Sequence, residues 1–161
     1  MRILFSTCSA AHYMAPPQLS DEQITCGPYF EDVEIGGRFL SLRTPTGEYD
    51  LAKVVARLPA DQMPDVVVCL VDSSWFNTPQ NLAAFRCPKI ALVADTHHMT
   101  KPVSRMIKYL KAQGFDRHVF LYTRHHLEFF RAAGLKNLHW FPGLTFSHGD
   151  AKVHAVRQPE R

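Results

Sequence analysis

Uninterrupted apolar runs mark the second half of the chain: DVVVCLV at 65–71, KIALVA at 89–94 and HVFLYT at 118–123. Runs of this length without polar alternation fit strands covered on both faces, as in a parallel sheet. A helical period separates the last two. Over 102–114, Val103, Met106, Ile107 and Leu110 recur at i, i+3, i+4 and i+7, Arg105, Lys108 and Lys111 take the opposite side, and Gly114 supplies the stop. Residues 125–134 repeat that design with Gly134, and 137–141 predict a last strand closed by Pro142 and Gly143. Residues 78–86 predict a short helix, with Thr78 as N-cap and Pro79 at its first position. Strand and helix in alternation predict right-handed βαβ crossovers.

The first half is less regular. Residues 2–7 predict a first strand entering the middle of that sheet, and 39–44 a second. Residues 50–58 predict an amphipathic helix with Leu51, Val54, Val55 and Leu58 on one face. Residues 8–36 hold prolines, glycines and no sustained period, and predict a long loop with one helical turn. The polar tail 147–161 reads as a linker. The expected architecture is α/β: a Rossmann-like open parallel sheet of six or seven strands with helices on both faces, over residues 1–146.

Composition narrows the class. The chain has 161 residues, 46% hydrophobic and 20% charged, with a net charge of +3 and no basic run of five or more. That suits one globular domain and gives no footprint for nucleic acid. No stretch approaches the ~18 apolar residues of a membrane span. The N-terminal apolar stretch is short for a signal peptide, so a cytoplasmic location is expected. Cys8, Cys26, Cys69 and Cys87 have no C-x-x-C spacing and read as free thiols, with Cys8 notable for its place just past the first strand.

An open parallel sheet binds ligands outside the carboxyl ends of its strands. On that edge the sequence places Cys8, Ser9 and His12, then Asp72, Ser73, Ser74 and Trp75, then Asp95, Thr96, His97 and His98, then Arg124, His125 and His126. The opposite edge carries ordinary short turns. Asp72 and Asp95 fit turn or capping roles as well as functional ones. A single histidine of the 97–98 pair would pass as a turn residue, but the compact DTHH set points to function for at least one member. His125 and His126 open a helix, where a positive histidine is disfavoured, and read as neutral cap or surface groups. Trp75 and Phe76 suit sugar stacking, a lid or packing. Adjacent histidines are expected to diverge, and H-x-x-x-H and H-E-x-x-H are absent, so no metal site is expected. The chain also lacks G-x-S-x-G, G-x-G-x-x-G after the first strand, and a P-loop.

The order DTHH, amphipathic helix, GFDRHVF, HLEFFRAAG and NLHWFPGL resembles the amino-terminal half of bacterial GT-B glycosyltransferases, particularly the CgeB-like, spore-maturation-protein-like group. The likeness covers 65–146 in motif and 1–60 in topology alone. It departs from many GT-B members in the first loop, which has Cys8, Ser9 and the Pro16–Pro17 pair where a glycine-rich loop is common. The resemblance implies a metal-independent, acceptor-side domain. It would bind a carbohydrate or glycan acceptor, work against a second domain that grips the nucleotide-sugar, and be inactive alone. It needs no cofactor of its own. In an inverting transferase Asp95 and His97 would form the base, with His98 as the alternative. Asp72 and Ser74 would hold sugar hydroxyls, and Ser9, His12 and Arg124 complete the substrate-binding candidates. Two other readings stay open: a self-standing flavodoxin-like module that binds a ligand or protein, and a phosphoesterase using Asp72, Asp95, His97 and His98 with a divalent metal.

Overall fold

The structure, a computed structural model, describes residues 1–8 and 17–141. In chain order its elements are β1 (Arg2–Ser6), β2 (Glu22–Gly27), β3 (Val33–Ile35), β4 (Arg38–Arg43), β5 (Gly47–Asp50), α1 (Leu51–Val55), β6 (Val66–Val71), β7 (Asn77–Gln80), β8 (Lys89–Val93), α2 (Pro102–Gln113), β9 (Arg117–Phe120), α3 (Leu127–Ala132) and β10 (Leu138–Trp140). Eight strands form one sheet in the order β10-β9-β8-β6-β1-β2-β4-β3. Every neighbouring pair is parallel except β3 with β4. This is the expected Rossmann-like open sheet, and β1 lies inside it, as its buried Ile3, Leu4 and Phe5 require.

Strand alternation divides the apolar side chains into two cores. Leu4, Ile24, Leu42, Val67, Val71, Ala91, Val93 and Phe120 face the larger core, where side chains of all three helices pack against them. All four residues of the predicted α2 stripe belong there: Met106 and Leu110 are buried, and Val103 and Ile107 are partly so. The expectation of helices on both faces is met on this face by α1, α2 and α3. The other face carries Ile3, Phe5, Val68, Leu70 and Leu121, and its cluster among the described residues is made of residues on or next to strands.

Three expectations are corrected. Residues 22–27, read as part of a long loop, form β2 and pair with β1 from Arg2↔Glu22 to Ser6↔Cys26. Ile24 and Cys26 enter the larger core, while Gln23 on the other face is satisfied by the Pro17 carbonyl at 2.9 Å and the Thr25 hydroxyl at 3.0 Å. With β2 and the edge strand β3, the sheet has eight strands rather than six or seven. Residues 78–86 are not a helix. Residues 77–80 are β7, which pairs with β5 in a separate two-stranded sheet, and only Leu82–Ala84 make a short 3-10 turn. Asn81 explains the break, because its left-handed φ of 64° cannot continue a helix.

A buried polar knot ties the small sheet to the large one. The Ser6 hydroxyl lies 2.7 Å from the Tyr49 hydroxyl, and the Asn77 amide donates to Ser6 at 2.9 Å and to the Leu70 carbonyl at 3.1 Å. Tyr49 donates to the Asn77 carbonyl oxygen at 3.0 Å. Buried polar groups paired in this way avoid the desolvation cost of lone ones. The Asp50 carboxylate caps α1 through the Ala52 and Lys53 amides at 3.0 and 3.3 Å. Asp50→Ala is expected to cost about 1 kcal/mol, read as a shift of the urea midpoint. An unchanged midpoint would show that Leu51, Val54 and Val55 hold this helix by packing alone.

Candidate functional site

The carboxyl edge of the sheet collects polar side chains because each parallel strand ends there and the chain must turn. After β8 the turn is built by Asp95. Its Oδ1 accepts from the His97 backbone amide at 2.9 Å and lies 2.6 Å from His97 Nδ1 in an ion-pair contact, and its Oδ2 meets His98 Nδ1. The two imidazoles lie 4.2 Å apart between centroids. Adjacent histidines would diverge on a strand, but residues 97–100 are bent, and the bend brings both rings onto one carboxylate. The candidate ligand atoms of Asp95, His97 and His98 all lie within 4.8 Å of one another. Both rings are largely open to solvent, with side-chain exposures of 56% and 68%.

The turn after β6 braces this group. The Ser73 amide donates to the Asp95 carbonyl at 2.9 Å, and the Ser73 hydroxyl accepts from the His98 amide at 3.2 Å. Burial pushes the Asp95 carboxyl up, but the His97 amide and the two rings outweigh it and hold the group below the usual aspartate range. Asp95 is thus a secure carboxylate, and its ion-pair partners among the described residues are the two imidazoles.

Asp72 and Ser74 are joined within the turn after β6. The Asp72 carboxylate accepts from the Ser74 amide at 2.8 Å and from its hydroxyl. Cys8 sits beside it, with Sγ 3.7 Å from Asp72 Oδ2. Burial and the Asp72 charge push the Cys8 thiol up to about 12, so it is a neutral thiol rather than a nucleophile. All four cysteines are free. Arg124 lies after β9, and its guanidinium covers Trp140 at 5.0 Å. Ser9 and His12 lie outside the described residues.

Thr96 and His126, placed on this edge by the sequence without a shared role, meet there together with Thr123, which the sequence did not single out. Thr96, fully buried, has its hydroxyl 2.7 Å from both the Thr123 hydroxyl and His126 Nδ1. Burial and the neighbouring His125 and His97 push His126 down, which fits the neutral form expected at the start of a helical segment. A neutral His126 lets Thr96 donate to Nδ1 while it accepts from Thr123. This chain of bonds fastens the end of β8 to the end of β9. The only signal for it in the sequence was position, since all three residues follow strand ends.

Trp75 resolves toward packing. It has a left-handed φ of 62°, Arg105 stacks on its ring at 4.6 Å, and Tyr109 meets it edge-on at 6.1 Å. Its indole Nε1 is buried without a partner. A cavity of about 340 Å³ opens beside it, lined among others by Gln80, Arg105, Lys108 and Tyr109. Phe76 is 49% exposed at the same turn. None of the described helices is long and apolar enough to cross a membrane. Compared with known proteins, this chain matches no family model, no curated protein and no solved structure.

Proposed function

We propose that this domain is the acceptor-side half of a nucleotide-sugar-dependent glycosyltransferase, in which an imidazole held by Asp95 takes the proton of an acceptor hydroxyl. The observation that carries the reading is the shared carboxylate. With Nδ1 of His97 and His98 turned to Asp95, the basic lone pair of a neutral ring lies on Nε2, across the ring. As the acceptor oxygen forms its bond to the anomeric carbon, its proton passes to Nε2. The bond from that carbon to the nucleoside diphosphate breaks, and its electron pair leaves with the diphosphate. Asp95 positions the ring and stabilises the imidazolium that results. Asp72 and Ser74 offer the paired carboxylate and hydroxyl that suit sugar hydroxyls.

The donor sugar requires a second Rossmann-like domain, so this domain binds acceptor without turning it over. A glycan array probed with the protein tests the reading. Retention of one saccharide class is expected, and Asp72→Ala should weaken it by about 10-fold or more, the worth of a hydrogen bond to a charged group. Failure to retain any saccharide at millimolar concentration, or sugar transfer by this chain alone, would overturn it.

A further inference from the structure

We infer that Asp95, His97 and His98 form a binding site for a divalent first-row transition metal. The inference goes beyond the transferase reading, which uses no metal in any step. Two imidazole nitrogens and one carboxylate oxygen are a ligand set that zinc, cobalt, nickel and iron(II) accept, whereas magnesium and calcium prefer oxygen alone. The three groups come from one four-residue turn, and their candidate ligand atoms lie within 4.8 Å of one another.

Three features separate this cluster from an ordinary surface turn. Asp95 is a carboxylate with no lysine or arginine ion pair among the described residues, so no permanent cation balances it. Its backbone is fixed from the neighbouring strand end by the Ser73 amide at 2.9 Å, and that of His98 by the Ser73 hydroxyl at 3.2 Å. The rings are exposed, which gives a metal an open path and leaves coordination positions for water or a ligand oxygen. Loading the site requires the exposed rings to turn so that the imidazole–carboxylate contacts open around the ion.

A loaded site and a working base are mutually exclusive states of the same turn. An imidazole bound to metal through Nδ1 carries its proton on Nε2 and cannot accept another. Where the transferase reading holds, the metal would therefore switch the base off.

Binding of Co²⁺, followed by its visible absorption, and of Zn²⁺, followed by calorimetry on the whole protein, tests the site directly. One ion per chain is expected. Asp95→Asn, His97→Ala and His98→Ala should each weaken binding by at least about 10-fold, a loss that even outer-shell changes produce at metal sites, while His125→Ala leaves it unchanged. The three side chains are exposed or partly so, and far-ultraviolet circular dichroism checks that each variant is folded. Absence of binding, or affinity undiminished in all three single variants, overturns the metal site. Saccharide retention is read separately on the glycan array, so loss of one reading leaves the other standing.

Discussion

Gly27→Ala is expected to destabilise the protein by about 3 kcal/mol, the upper end of typical overpacking costs. A Cβ at this position would lie 1.8 Å from the Thr7 carbonyl oxygen, 3.0 Å from its carbon and 3.1 Å from the Phe30 ring. The nearest obstacle is backbone and cannot swing aside as a long side chain could. Nor can Gly27 withdraw, because its carbonyl accepts from Phe30 at 3.3 Å and Thr44 at 3.1 Å, and the Thr7 amide is tied to Cys26 at 2.8 Å. The strain falls where β1 and β2 run out, one residue from Cys8 and its contact with Asp72. Urea unfolding should show a lower midpoint with an unchanged slope. A shift worth less than about 1 kcal/mol would mean that the Thr7 peptide turns freely.

On the transferase reading proposed above, the double substitution His97→Ala/His98→Ala is expected to lower the kcat of sugar transfer by about 10²–10⁴-fold, the usual contribution of a positioned base. KM for the acceptor should stay nearly level, because the hydroxyl-binding groups proposed at Asp72 and Ser74 are untouched. Each single substitution should cost less, since both rings reach the same carboxylate and the survivor keeps its orientation. That reading requires a donor-binding domain, so the assay is run with one present. Undiminished kcat in the double variant would remove the base from this edge.

The parallel half of the fold was legible because its strands are unbroken apolar runs and its longest helix has a clean stripe and a glycine stop. Val67, Cys69 and Val71 lie on one face of the sheet and Val68 and Leu70 on the other, so both faces demanded apolar residues. β2 was hidden because its second face is polar: Gln23 and Thr25 are satisfied by a local hydrogen-bond pattern that composition does not reveal. β7 was hidden for a different reason. Thr78 and Pro79 do suit a helix start, and the tie of Asn77 to Ser6 and Leu70 overrides that preference from 71 and 7 residues away. The site followed the same division. Asp95, His97 and His98 could be found from the strand-end rule, but their convergence depends on the bend at 97–100, and the part played by Thr96, Thr123 and His126 depends on two strand ends lying side by side.

The place of β1 has a consequence for the order in which the chain can fold. During synthesis β1 emerges ahead of the other strands of this sheet, yet its partner β6 begins 60 residues after β1 ends, pairing Ile3 with Val66. Until then one side of β1 can rest only on β2, and Phe5 and Leu4 have no finished core to enter. Such non-local pairing slows folding, because a long loop must close before the contact rewards it. The nascent first third is thus a sticky, half-built sheet, and the emergence of residues 66–71 is the event that closes its open side.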